Sequence, residues 1–215
     1  ANANWKTQYY LTVTTDPSDL DDPTGEGWYD EGTHASISVN TPTGGDGVST
    51  RYRFQNWTGV GIVNPAATST TILMDAPKVA KAVFIEQFKL TMSTNLGVVT
   101  PDSGWYDVDS VVPIEAFAPE IVEGNGYVWH GWTGTGEGSY SGIDNPATIT
   151  MHSAITETAQ WKITPILTII ISNDTITSGD RIVVYGKALP VSSSVEILVT
   201  YVFPNGTQVE HTVYT

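Results

Sequence analysis

Residues 54–61 read FQNWTGVG, and the same grammar returns at residues 129–136 as WHGWTGTG. A tryptophan among small and hydroxylated residues suits a sugar-stacking platform, a phosphate-cradling loop or the punctuation of a repeated fold. The spacing around it selects the last. Tyr52 and Phe54 are two apart, as are Tyr127 and Trp129, so each pair shares one face of a strand. The next tryptophan, Trp57 or Trp132, comes three residues later and breaks the period. The residue before it is Asn56 in one copy and Gly131 in the other, the types most tolerant of a positive φ. A bulge or strand-end turn that swings the indole back toward the core is the expectation.

Other markers recur around these two stretches. GWYDEG at 27–32 returns as GWYDVD at 104–109, Asn64-Pro65-Ala66 as Asn145-Pro146-Ala147, and Met74 as Met151. Trp28 and Trp105 are 77 positions apart and Trp57 and Trp132 are 75 apart, so insertions sit in the loops of a unit close to 77 residues long. A further marker, Ala-x-aromatic with a Leu eight positions after the Ala, appears three times, at Ala3-Trp5-Leu11, Ala82-Phe84-Leu90 and Ala159-Trp161-Leu167. The expected organisation is residues 1–7 as the terminal strand of an upstream unit or an N-terminal extension, 8–85 as unit 1, 86–162 as unit 2, and 163–215 as a different unit. The recurring aromatics Trp28, Trp57, Trp105, Trp132 and Trp161 are read as a structural core signature, because each buried indole removes a large apolar area from water.

These motifs together, Tyr9-x-Leu11-x-Val13, Gly-Trp-Tyr-Asp, aromatic-x-x-Trp-Thr-Gly, Asn-Pro, Met and Ala-x-aromatic, resemble the divergent internalin-type B-repeat of bacterial and archaeal cell-surface proteins. The resemblance covers residues 8 to about 162 in two copies. It implies a small β module related to the β-grasp, used as a spacer or adhesion unit, with no catalytic residues to carry over. The acidic insertion Asp16 to Glu26 and the insertion Thr41 to Val48 are not explained by it.

From Ile166 the runs ILTIIIS, DRIVVYGKAL, VEILVTYVF and QVEHTVYT alternate with turn signals, the grammar of an immunoglobulin-like sandwich. Such a domain ordinarily has about seven strands. Four strands make a unit that is either incomplete or completed in trans by strand addition. The fold class expected is all-β: two tandem β-grasp-related modules, then an immunoglobulin-like unit.

The chain of 215 residues carries 9 basic and 23 acidic side chains, a net charge of −14, and no cysteine. That balance repels nucleic acid and anionic lipid and favours cations. There is no thiolate chemistry and no apolar run of membrane-spanning length. His34, His130, His152 and His211 fall at no metal-ligand spacing, and no Gly-x-Ser-x-Gly nucleophile motif is present. Gly134 to Gly138, GTGEG, opens no helix and has no Lys, so a phosphate loop is disfavoured. The one chemical candidate is the run DPSDLDDPTGE, where Asp16, Asp19, Asp21, Asp22 and Glu26 put five carboxylates in eleven residues. These would serve calcium, which takes six to eight oxygens at flexible angles, although the EF-hand spacing is absent. Sequons at Asn56, Asn173 and Asn205 are candidate glycosylation sites. No cofactor other than calcium is implied. The functional expectation is a non-catalytic extracellular segment, a stalk, adhesion module or assembly subunit, whose partners are other domains of one surface protein or neighbouring copies by strand addition. The alternative is a carbohydrate-binding module with glycan partners.

Overall fold

The structure, a computed structural model, describes residues 4–18, 20, 22–120, 125–165, 196–202 and 208–214. It is all-β, and no helix occurs among the described residues. In the first repeat, β1 (Gln8–Asp16) pairs antiparallel with β2 (Gly27–Asp30), while β3 (His34–Ser38) pairs antiparallel with β5 (Ser69–Leu73). β4 (Thr50–Thr58) lies antiparallel on β6 (Lys78–Thr94), and β1 lies parallel to β6.

The second repeat repeats this plan with β6 in the place of β1. β8 (Gly104–Asp107) pairs antiparallel with β6, and β12 (Ile155–Pro165) runs parallel to it. β9 (Val111–Phe117) is flanked by β7 (Val98–Thr100) and β11 (Ala147–Thr150), and β10 (Asn125–Thr135) neighbours β12. The boundary expected between residues 85 and 86 therefore falls inside a single strand of 17 residues. One strand closes the first repeat and opens the second.

Alternation makes these elements. β3 buries Ala35 and Ile37, and β9 buries Val112, Ile114 and Ala116, each at every second position. The two cores correspond at eight positions. Leu11, Val13, Ala35, Ile37, Trp57, Ile72, Met74 and Ala82 are buried in the first, and Leu90, Met92, Val112, Ile114, Trp132, Ile149, Met151 and Ala159 in the second. At the position of Ala80 the second repeat buries Glu157, and the places of buried Phe54 and Phe84 are taken by half-buried Trp129 and Trp161. The break in period before Trp57 is a bulge: the β4–β6 register shifts between Phe54 and Asn56. Gly131 holds φ at +121° before Trp132.

By internal packing the chain divides into residues 1–117 with 130–160, and residues 118–129 with 161–215. In the second of these, Trp129 and Trp161 meet edge to face at 5.0 Å. β13 (Glu196–Val202) and β14 (Gln208–Tyr214) there form an antiparallel pair from Glu196–Tyr214 to Val202–Gln208. The first two strands expected of the immunoglobulin-like unit lie outside the described residues.

Asn4 to Thr7 form no strand among the described residues, and β1 starts at Gln8, where the Glu31 N–H donates to the preceding Thr7 carbonyl at 2.9 Å.

Candidate functional site

The recurring indoles differ in how far they are buried. Trp57 is 2% exposed, donates Nε1–H to the Ala67 carbonyl at 3.0 Å and packs on Phe54 at 5.8 Å. Trp132 is 3% exposed. Trp105 and Trp161 are half-buried. The core reading is corrected at Trp28, which is 66% exposed. It sits on β2, at the edge of the sheet, with Tyr10 packed edge to face against it at 5.2 Å.

The acidic run does not gather where it is described. Glu26 accepts from the Tyr10 hydroxyl at 2.9 Å and the Val13 amide at 3.2 Å, whereas Asp16 faces Lys81 at 3.6 Å. Val13 and Asp16 are three residues apart on an extended strand, about 10 Å. Asp22 is exposed, and Asp19 and Asp21 lie outside the described residues. Among the described residues, no group of three or more His, Asp or Glu side chains converges. Asn56 is half-buried in β4 and donates its amide to the Trp57 carbonyl at 3.0 Å; Asn173 and Asn205 lie outside the described residues. At Gly138, φ is +89° and a Cβ would meet the Thr150 carbonyl oxygen at 1.8 Å, so the glycine there serves close backbone approach.

The chemically densest place is the junction of the repeats, on the face of β6 opposite Ala82, Phe84 and Leu90. Gln87, 7% exposed, lies between Arg51 of β4 and Asp107 of β8, since both strands pair with it. Its Oε1 accepts from Arg51 Nε at 2.9 Å, and its Nε2 donates to Asp107 Oδ1 at 2.9 Å. Arg53 holds the same carboxylate with two prongs, through Nε to Oδ1 at 2.7 Å and through Nη2 to Oδ2. The Arg53 bond, with help from Gln87, holds the Asp107 carboxyl below its usual range against the opposing effect of burial.

Above this network the Arg51 guanidinium lies 4.5 Å from the Trp105 ring centre, with Lys89 Nζ at 5.5 Å. A bidentate, partly buried pair and a cation–π stack each contribute on the order of 1 kcal/mol. Beside them Pro42, Thr43, Gly44, Gly47, Arg51 and Trp105 line an open cavity of about 340 Å³. No motif announced these polar residues. The signal was present in the repeat itself, since Gln8 recurs as Gln87 and Asp30 as Asp107.

The second unusual group is Glu157, fully buried on β12. Its Oε1 accepts from the Tyr140 amide at 2.7 Å, and its Oε2 has no partner among the described residues. Burial raises its pKa above the ordinary carboxyl value. Gly134 makes room for it, because a Cβ there would lie 2.4 Å from Oε1.

Two tandem β modules that share a strand, with equivalent cores, define a repeat protein. Both modules match the family model described as the divergent InlB B-repeat domain, over residues 11–87 and 88–165, and the chain belongs to that family. No curated protein and no solved structure matches it. The family is one of surface-associated repeat domains.

Proposed function

We propose that this chain is a non-catalytic, extracellular spacer of a cell-surface protein, in which the repeats transmit load and orientation as one body. The observation that carries this reading is β6. At roughly 3.3 Å per residue its 17 residues extend about 55 Å, and it is bonded on both edges in each repeat. Neither repeat can release its share of the strand without loosening the other, and the Arg53–Asp107 pair locks the crossing point. Hydrogen exchange read by mass spectrometry tests this. With increasing denaturant, β3 and β5 of the first repeat are expected to lose amide protection together with β9 and β11 of the second. Loss in one pair while the other stays protected would remove the basis for a rigid spacer.

The exposed indole of Trp28 supports a second reading, a carbohydrate-binding module in which that ring stacks on a sugar. Titration with neutral and acidic oligosaccharides would shift Trp28 fluorescence under this reading and leave it unchanged under the first.

A further inference from the structure

The junction exists once complete and once half-made. At the complete copy, Gln87 Nε2 donates to Asp107 Oδ1 at 2.9 Å; at the corresponding place in the first repeat, Gln8 Nε2 donates to Asp30 Oδ1 at the same 2.9 Å. Trp28 stands where Trp105 stands, two residues before that aspartate, and Trp5 stands where Phe84 stands. What differs is the cover. Asp107 is held by Arg53, while Asp30 has Lys6, which reaches in at 2.8 Å with most of its side chain in solvent. Trp105 carries Arg51 over its ring, whereas no cation lies over Trp28 among the described residues. Phe84 is 6% exposed against Phe54 at 5.9 Å, and Trp5 is 91% exposed. Among the described residues, the backbone of Asn4 to Lys6 also has no hydrogen-bonded strand beside it, although the equivalent residues of β6 are paired with β4.

We infer that the face of the first repeat formed by Trp5, Trp28 and Asp30 is an acceptor surface for another B-repeat, which would lay a strand like β4 along residues 4–8. The chemistry of the donor follows from the complete junction. An arginine at the position of Arg51 stacks on Trp28, an arginine at that of Arg53 takes the Asp30 carboxylate from Lys6, and an aromatic at that of Phe54 covers Trp5. Asp30 supplies the negative charge such a pair seeks. The strand β10 of this chain is not that donor, because Gly126 and Val128 occupy the two arginine positions. The occupant is therefore a repeat of the first kind, with Arg-x-Arg-aromatic, in the register seen at β6. This deepens the spacer reading by stating how further repeats join it, and its failure would leave the joint unfolding of the two present repeats untouched.

Hydroxyl-radical footprinting, which reports oxidation tryptophan by tryptophan, tests the assignment in two steps. In the chain as it stands, Arg51→Ala should raise oxidation of Trp105 toward the rate of Trp28; if Trp105 stays protected without Arg51, the two sites are not equivalent and the inference fails. A chain in which a second copy of residues 8–81 is joined directly ahead of Ala3 should then show oxidation of Trp5 and Trp28 falling several-fold. Arg51→Ala and Arg53→Ala in the added copy should restore it at Trp28. Unchanged oxidation of Trp5 and Trp28 in the extended chain would overturn the proposal. So would protection that appears in the original chain with rising concentration and dimer formation by light scattering, which would make the occupant a second molecule instead.

Discussion

Trp57 and Trp28 carry the same side chain into opposite surroundings, 2% and 66% exposed, so the same substitution separates packing from placement. Trp57→Ala is expected to cost about 3–5 kcal/mol, the range for deleting a large buried aromatic. Trp28→Ala should stay within about 0.5–1 kcal/mol, as surface changes do. Urea midpoints of the two variants check the contrast. Glu157 offers a different test, because the equivalent residue of the first repeat is Ala80. Burial raises the Glu157 pKa above 4.5, so the folded state holds the proton more tightly than the unfolded chain. Stability from this group is complete below about pH 4.5 and falls as pH rises toward the folded value. Above that value a buried charge with one hydrogen bond remains as a constant penalty. Glu157→Gln keeps an acceptor for the Tyr140 amide and removes the charge. It should stabilise the protein by on the order of 1–2 kcal/mol at pH 8 and by little at pH 4, measured as melting temperature at the two pH values. Asp46 behaves in the opposite sense. Its Oδ1 accepts from the amides of Val48, Ser49 and Thr50, which draws its pKa down to about 2. Its contribution to ordering the 46–50 turn is present above about pH 4 and lost toward pH 2, and Asp46→Ala should abolish that part of the acid sensitivity of the turn, read by amide exchange.

At the scale of the element, β6 explains why one polar residue is buried in an otherwise apolar plan. Ala80, Ala82, Phe84, Leu90 and Met92 share one parity and serve the two cores, while Gln87 has the other parity and faces the crossing of β4 and β8. Gln8 and Gln87 make the same bond to an aspartate, but Gln8 is exposed. Gln87→Ala should cost about 1–3 kcal/mol, because it strips a partner from Arg51 and from Asp107 in a partly buried site. Gln8→Ala should change little, since water replaces the lost bond. Denaturant midpoints of both variants compare one hydrogen bond in two environments.

Across the whole molecule, 23 acids against 9 bases leave a net charge of −14, and self-repulsion opposes the compact state. Added sodium chloride up to a few tenths molar should raise the unfolding midpoint as screening shortens the reach of that repulsion. The Arg53→Ala variant should rise by the same increment as the unmodified chain, because a bidentate, partly shielded pair depends little on bulk salt. A smaller gain in the unmodified chain would contradict that account of the junction.

The alternation of Ala35 and Ile37, the return of Met74 as Met151 and the paired WTG motifs were enough to establish an all-β tandem repeat and its family, because burial on a strand repeats every second residue and insertions only stretch the loops between markers. The sequence also located the bulge before Trp57, since three residues cannot keep a period of two. What it could not show was which recurring indole is covered. Trp28, Trp105 and Trp57 look alike as letters, and their exposure depends on whether another strand lies beside them. Nor could it reveal that the boundary near residue 85 is a shared strand, or that Arg51, Arg53, Gln87 and Asp107 meet. Those residues lie on three strands up to 56 positions apart, and only pairing in register brings their side chains to one face. Glu157 was not legible either: a carboxyl group reads as a surface residue in the sequence, and only the packed structure shows it filling the core position that Ala80 holds in the first repeat.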